Sequence, residues 1–294
     1  MREVKTILGL KEIYKEYDVF LLDQWGVMHD GYNGYINAID CIKMLIQAKK
    51  TLIIISNSSK RKNKTISKLD KLGFNKNDFI EVMTSGEMMW QSLFNANHQE
   101  TKNLGKNCFH IFDERNEEGN QYVNGLEKFN FVTNISQADF ILACTPFNNF
   151  KVIDFLPLLT EAKKNGLPFL CANPDYDTIE GNNHEDIFCM GTIADIYKNI
   201  GGKSFILGKP SIHIYNEVFK KLKEISKTKI LAVGDSLYHD IKGARNFGID
   251  SLLITSTGIH QEYFDKENPN WNNKKNFLAN LNIKPTFLCS DFKF

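Results

Sequence analysis

The chain has 294 residues, 42% hydrophobic and 24% charged, with a formal net charge of +1. That length suggests two domains, or one with a large insertion, and enough apolar material for a sizeable packed core. The near-neutral charge gives no whole-chain attraction to nucleic acid or an anionic membrane, and no run approaches the roughly 18 apolar residues of a membrane span.

In chain order, several short apolar runs stop abruptly at polar residues. Val19–Leu22 ends at Asp23, and residues 52–55 end at Ser56-Asn57. Between them Ile36, Ile39, Ile42, Leu45 and Ile46 follow helical spacing. The basic run Lys60-Arg61-Lys62-Asn63-Lys64 reads as a solvated helix start, with anion steering the minor alternative. Met88, Met89 and Trp90 are expected in a helix core. Residues 108–112 and 140–144 read as strands, and 152–164 as a helix stopped by Asn165-Gly166. Another strand, 169–172, ends at Asn173-Pro174-Asp175. The runs 205–207, 230–233 and 252–254 then end at Gly208-Lys209, Gly234-Asp235 and Thr255. Ile214, Val218, Phe219, Leu222 and Ile225 repeat the helical spacing, and Gly248 is placed to terminate a helix over 239–247. The Asn/Lys-rich segment 268–276 reads as a loop or weak helix start.

Continuous apolar runs of this length fit strands buried on both faces, and their alternation with helices implies an α/β fold with a parallel sheet. Ligands of such sheets bind beyond the carboxyl ends of the strands, where Asp23, Ser56, Lys209 and Asp235 stand. Residues 103–200 read as a second α/β domain inserted into a core made of 1–102 and 201–294. The N-terminal stretch 1–11 lacks the apolar core and cleavage site of a secretory signal. Six cysteines, Cys41, Cys108, Cys144, Cys171, Cys189 and Cys289, form no C-x-x-C pair, and several lie in apolar runs. Buried free thiols in a reduced, cytoplasmic protein are expected.

Each polar strand end has an ordinary reading alone. Asp23 and Asp235 suit turns, Asp240 suits a helix N-terminus, Ser56 and Asn57 suit caps, and Lys209 suits an exposed position before Pro210. Taken together, carboxylates converging from separate strands repel one another unless a cation neutralises them. Hard oxygen ligands suit Mg²⁺. A lysine nearby suits a phosphoryl dianion, and Ser56-Asn57 offers donors for its oxygens.

The order Asp23, Ser56-Asn57, Gly208-Lys209-Pro210 and Gly234-Asp235-x-x-x-x-Asp240 resembles the four motifs of the haloacid dehalogenase superfamily. The long stretch between the second and third motifs is similar to the class IIA arrangement, whose members include sugar-phosphate, nucleotide and pyridoxal-phosphate phosphatases. The resemblance implies a Rossmann-like core with an α/β cap that closes over Asp23, and hydrolysis of a small phosphorylated metabolite. It further implies roles: Asp23 as nucleophile, forming an aspartyl-phosphate, and Ser56 with Asn57 as phosphoryl binders. Lys209 would balance charge. Asp23, Asp235 and the backbone carbonyl of Trp25 would hold Mg²⁺, and Asp240 would support the metal's water or orient Lys209. Asn173 and Asp175 would belong to a substrate-binding segment near the cap junction, and a homodimer follows by analogy. Specificity would lie in the loop carrying Asp175, Asp177, Asn182, Asn183 and His184, which otherwise reads as a plain surface loop. Gly191-Thr192 could open a helix facing an anion. Thr257-Gly258-Ile259-His260 reads as a plain loop that could rim the site.

One position departs from the pattern. Phosphatases of the superfamily read Asp-x-Asp in the first motif, the second aspartate serving as acid and then base. Here the segment is Asp23-Gln24-Trp25-Gly26, and an indole exchanges no proton near neutral pH. A positioned acid–base group contributes about 10²–10⁴-fold. Three consequences are open. The substrate has a good leaving group, such as an acyl phosphate; or His29 or Asp30 on the same loop substitutes; or the protein binds phosphate and metal with slow turnover. Trp25 could also stack on substrate. Two rival classes remain: a metal-free dehalogenase, against which the Asp235/Asp240 pair argues, and a non-catalytic binding or regulatory protein.

Overall fold

A computed structural model describes residues 4–115, 117–177, 188–264 and 282–294. Asn182, Asn183, His184 and the segment 268–276 fall outside the described residues. The chain divides into two compact units. The first comprises 1–56, 65–83 and 209–294; the second comprises 57–64 and 84–208.

The strands are β1 (Lys5–Thr6), β2 (Val19–Leu22), β3 (Thr51–Ser56), β4 (Phe79–Thr84), β5 (Asn107–Ile111), β6 (Asn130–Val132), β7 (Phe140–Ala143), β8 (Pro168–Cys171), β9 (Lys203–Ile206), β10 (Ile230–Gly234), β11 (Asp250–Ile254) and β12 (Phe287–Cys289). The first unit holds a sheet in the order β1-β12-β11-β10-β2-β3-β4. β2 runs parallel to both neighbours, with Leu22 opposite Val233 on one side and Ile54 on the other. Every residue of β2 and β10 is buried, as their unbroken apolar sequence requires. On one face Phe20, Leu22, Leu52, Ile54 and Val233 pack on Ala38, Cys41, Ile42 and Leu45 of helix α1 (Ile36–Gln47). This is the expected helical stripe. Gly248, at φ +82°, ends the helix Lys242–Phe247 in the left-handed conformation that glycine tolerates best.

The second unit has a parallel sheet in the order β6-β5-β7-β8-β9. Its core includes Ile111, Ile141, Phe155, Leu159, Phe169 and Tyr197. This unit is broader than the expected 103–200 insertion, because the 57–64 stretch and the helix α3 (Ser85–Asn95) belong to it.

Three local expectations are corrected. The run before Gly208-Lys209 is β9, which pairs with β8 in the second sheet rather than joining the first. None of its residues is fully buried, so it is an edge strand rather than a central one. The basic run does lead into helix α2 (Lys62–Leu69), but Arg61 is half-buried rather than fully solvated. Its guanidinium lies 3.6 Å from the Trp90 ring and 2.7 Å from the buried Glu87 carboxylate. Trp90 is therefore half-buried between Arg61 and Phe94, while Met88 and Met89 do occupy the core. All six cysteines are buried free thiols.

Candidate active site

The site begins with sheet register. The N–H of Asp23 donates to the carbonyl of Val233 (2.9 Å), so the first residue past β2 lies level with the end of β10. Asp235 is the first residue past that end. A wide π-helical turn, Leu237–Ile241, then carries Asp240 back toward the strand ends. Ser236 begins this turn. Its hydroxyl accepts from the His239 N–H (3.2 Å), and its own N–H donates to Asp240 Oδ2 (3.1 Å).

Lys209 joins the carboxylates. Its Nζ stands 2.7 Å from Asp23 Oδ1 and 2.7 Å from Asp240 Oδ1, with all three side chains largely buried. Both oxygens of Asp240 are thus engaged, one by Lys209 and one by Ser236. Asp23, Asp235 and Asp240 each offer a ligand atom within 4.8 Å of the others. One ammonium faces three carboxylates, so a net negative charge sits in a site of low dielectric. The consequence falls on Asp235. Burial first, then the charges of Asp23 and Asp240, push its carboxyl well above the usual range, against the pull of the Ile259 N–H and Lys209. A divalent cation among these hard oxygens would relieve that strain, so the donor set fits Mg²⁺.

Sequence reasoning missed how Asp235 is held. The N–H of Ile259 donates to its Oδ2 (3.0 Å). Gly26 and Gly258, at φ +72° and +83°, press against the same carboxylate so closely that a side chain on either would overlap it. Thr257 Oγ1 donates to the Gly26 carbonyl (2.5 Å), and His260 Nε2 accepts from the Leu237 N–H (3.1 Å). Burial pushes the His260 imidazole down to about 4, so it accepts this bond as a neutral ring. The 257–260 loop is therefore part of the site's frame rather than a plain loop.

Ser56 closes β3, beside the strand that delivers Asp23. Asn57, Asn173 and Asp175 come together in the second unit. Asn57 Nδ2 donates to Asp175 Oδ1 (2.7 Å), and Asn173 Oδ1 accepts from the Asp175 N–H (3.2 Å). The helix opened by Gly191-Thr192 does not present those groups to an anion as expected. The Gly191 N–H donates to the Asp175 carbonyl (3.0 Å), and the Thr192 hydroxyl donates to the Tyr176 carbonyl (2.8 Å).

On the loop after Asp23, the indole of Trp25 is half-buried and meets the His29 ring edge-on at 5.1 Å. Gly31, at φ +97°, lies under that indole, where a Cβ would collide with its six-membered ring. His29 is 4% exposed, and its Nδ1 accepts from the Gly31 N–H (3.0 Å). Asp30 Oδ1 accepts from the N–H groups of Tyr32 (2.8 Å) and Asn33 (2.7 Å). The Asn33 bond foremost holds the Asp30 carboxyl below its usual range.

Two family models match the chain. A haloacid dehalogenase-like hydrolase model covers residues 20–124, and a second model for hydrolases of the same type covers 206–292. Among solved structures, a haloacid dehalogenase-like hydrolase from Brucella suis is similar at 27% identity, with a TM-score of 0.76 over 86% of this chain and 90% of that one. A possible sugar phosphatase from Cytophaga hutchinsonii shares 18% identity at a TM-score of 0.76, over 99% of each chain. A p-nitrophenyl phosphatase from Archaeoglobus fulgidus shares 17% identity at 0.67, over 94% of this chain and 97% of that one. No curated protein sequence matches it.

Proposed function

Since the chain belongs to the haloacid dehalogenase-like hydrolases, we propose that it is a Mg²⁺-dependent phosphohydrolase. It acts on a small phosphorylated metabolite through an aspartyl-phosphate at Asp23. The observation that carries this reading is Lys209, whose ammonium bridges Asp23 and Asp240 at 2.7 Å each beside the buried Asp235.

Asp23 attacks phosphorus, and Lys209, 2.7 Å from its carboxylate, offsets the phosphoryl charge. Asp240, with both oxygens committed, acts by orienting Lys209 rather than by binding metal directly. Asp23, Asp235 and the Trp25 carbonyl are the proposed Mg²⁺ ligands. The ion would neutralise charge on the transferring group and hold it in line. Ser56 and Asn57 are the proposed phosphoryl-binding pair, and the second unit the substrate-selecting cap expected around 103–200. A metal-free dehalogenase is disfavoured, because three carboxylates would then share the single ammonium of Lys209 and the buried Asp235 would lack a cation of its own.

Phosphate release from a panel of acyl, aryl, sugar and nucleotide phosphates tests the proposal, with Mg²⁺ or EDTA, in wild type and Asp23→Asn. Turnover that requires Mg²⁺ and disappears in Asp23→Asn is expected. Trp25 favours one second reading, a phosphate-binding protein without turnover. Saturable vanadate binding by folded protein that hydrolyses no member of the panel would select it.

A further inference from the structure

The indole at position 25 is built into the nucleophile loop rather than tolerated there. Gly31 takes a left-handed backbone directly beneath the ring, where any side chain would strike it. His29 closes the ring's edge, and residues 25 and 29 are bridged through their backbones. Two other titratable side chains on this loop, those of His29 and Asp30, each hold its backbone in shape. His29 is buried, and its Nδ1 is committed as an acceptor to the Gly31 N–H, so it shapes the turn that seats Trp25. Asp30 accepts two backbone N–H groups as an Asx turn, which favours its ionised, acceptor-only form. The loop that follows Asp23 therefore carries, two residues on, an indole that neither gives nor takes a proton.

We infer that this site selects phosphates of acidic hydroxyls, acyl phosphates foremost, whose leaving groups depart as stable anions without protonation. The inference rests on the phosphohydrolase reading and specifies its substrate class. The chemistry balances. An oxygen of Asp23 bonds to phosphorus as the bond to the leaving oxygen breaks, and that oxygen keeps the electron pair as a carboxylate or phenolate. Water then bonds to phosphorus, the Asp23–phosphorus bond breaks, and the carboxylate is restored. Both water protons remain on the product, which leaves as dihydrogen phosphate. An alkyl phosphate, such as a phosphorylated sugar, would have to expel an alkoxide, to which the indole at position 25 supplies no proton. The cost of a missing acid is about 10²–10⁴-fold.

The test is a series of aryl phosphates of graded phenol acidity, with acetyl phosphate and an alkyl phosphate at the extremes, on the full chain with Mg²⁺. Asp23→Asn sets the background. For wild type, kcat/KM should fall steeply as the leaving group becomes less acidic, with the alkyl phosphate at least about 10²-fold below 4-nitrophenyl phosphate. Trp25→Asp should flatten that dependence by restoring a donor. A flat wild-type series above background overturns the inference while leaving the phosphohydrolase reading intact. A steep series retained in a folded Trp25→Asp variant also overturns it, because Trp25 is then not the cause. Should that variant not fold, the wild-type series decides alone. Release at background throughout removes the phosphohydrolase reading, and this inference with it.

Discussion

Gly258→Ala, paired with Gly248→Ala, separates backbone cost from damage to the carboxylate cluster. Both glycines are left-handed, at φ +83° and +82°. Alanine in that region costs about 1–2 kcal/mol, so both variants should lose a similar amount of stability from this source. At Gly248 nothing lies within 4 Å of the added carbon, and the cost should end there. At Gly258 the new methyl group overlaps Asp235, with Oδ2 its nearest contact, and the carboxylate must retreat by about 1 Å. That movement also disturbs the 3.0 Å bond from Ile259. Displacements of this size cost about 10²-fold where catalytic geometry is at stake. Mg²⁺ titration calorimetry should show affinity at least about tenfold weaker in Gly258→Ala, or about 1.4 kcal/mol, and unchanged in Gly248→Ala. Denaturant melts supply the stability comparison. Equal Mg²⁺ affinity in the two variants would refute the placement of Asp235 as a ligand that Gly258 holds in register.

Removing the charge of Lys209 with Lys209→Met should leave Asp23 and Asp240 facing each other, abolish turnover and lower stability by roughly 3 kcal/mol, read from urea midpoints. Acid should destabilise the fold through His260. Its folded value, about 4, lies below the unfolded value near 6.5, so the unfolded chain takes the proton first. The contribution is fully present above pH 6.5 and shrinks as pH falls toward 4. About 2 kcal/mol should go between pH 6.5 and 5, and a His260→Gln variant should show a shallower decline in the same melts. Arg61→Ala should cost the second unit about 2 kcal/mol, less than a wholly buried pair, because Gln91 and the Lys62 N–H also serve Glu87. Glu87→Gln, which keeps the shape and removes the buried charge, should cost less.

The legible parts of this molecule are those where side-chain chemistry and burial coincide. β2 and β10 are buried on both faces, so their sequences are unbroken apolar runs, and the first polar residue after each marks the strand's end. That is why the order of residues is enough to suggest Asp23 and Asp235 as neighbours. β9 shows where the same rule fails. Its short Phe205-Ile206 run resembles a central strand, yet the sheet it joins is decided by long-range pairing with β8, which local sequence does not carry. The reach of the second unit back to Thr84 escapes for a related reason: α3 is apolar enough to belong to either core, and the choice is made by packing.

The frame around Asp235 is hidden more deeply. Ile259 acts through its N–H, and Gly26 and Gly258 act through the side chains they lack. A backbone donor has no residue type to betray it, and a glycine in a turn is too common to single out a site. Trp25 is the opposite case: visible at once as a departure, but undecidable between decay and design from its own identity. Gly31 and His29 are the neighbours that bear on it. A side chain that had merely replaced an aspartate would not be expected to find a left-handed glycine under its ring and a histidine fitted to its edge. The fit of the neighbours to the indole is the observation on which the proposed leaving-group preference rests. On the proposed reading, an indole in place of an acid matches leaving groups that depart without a proton.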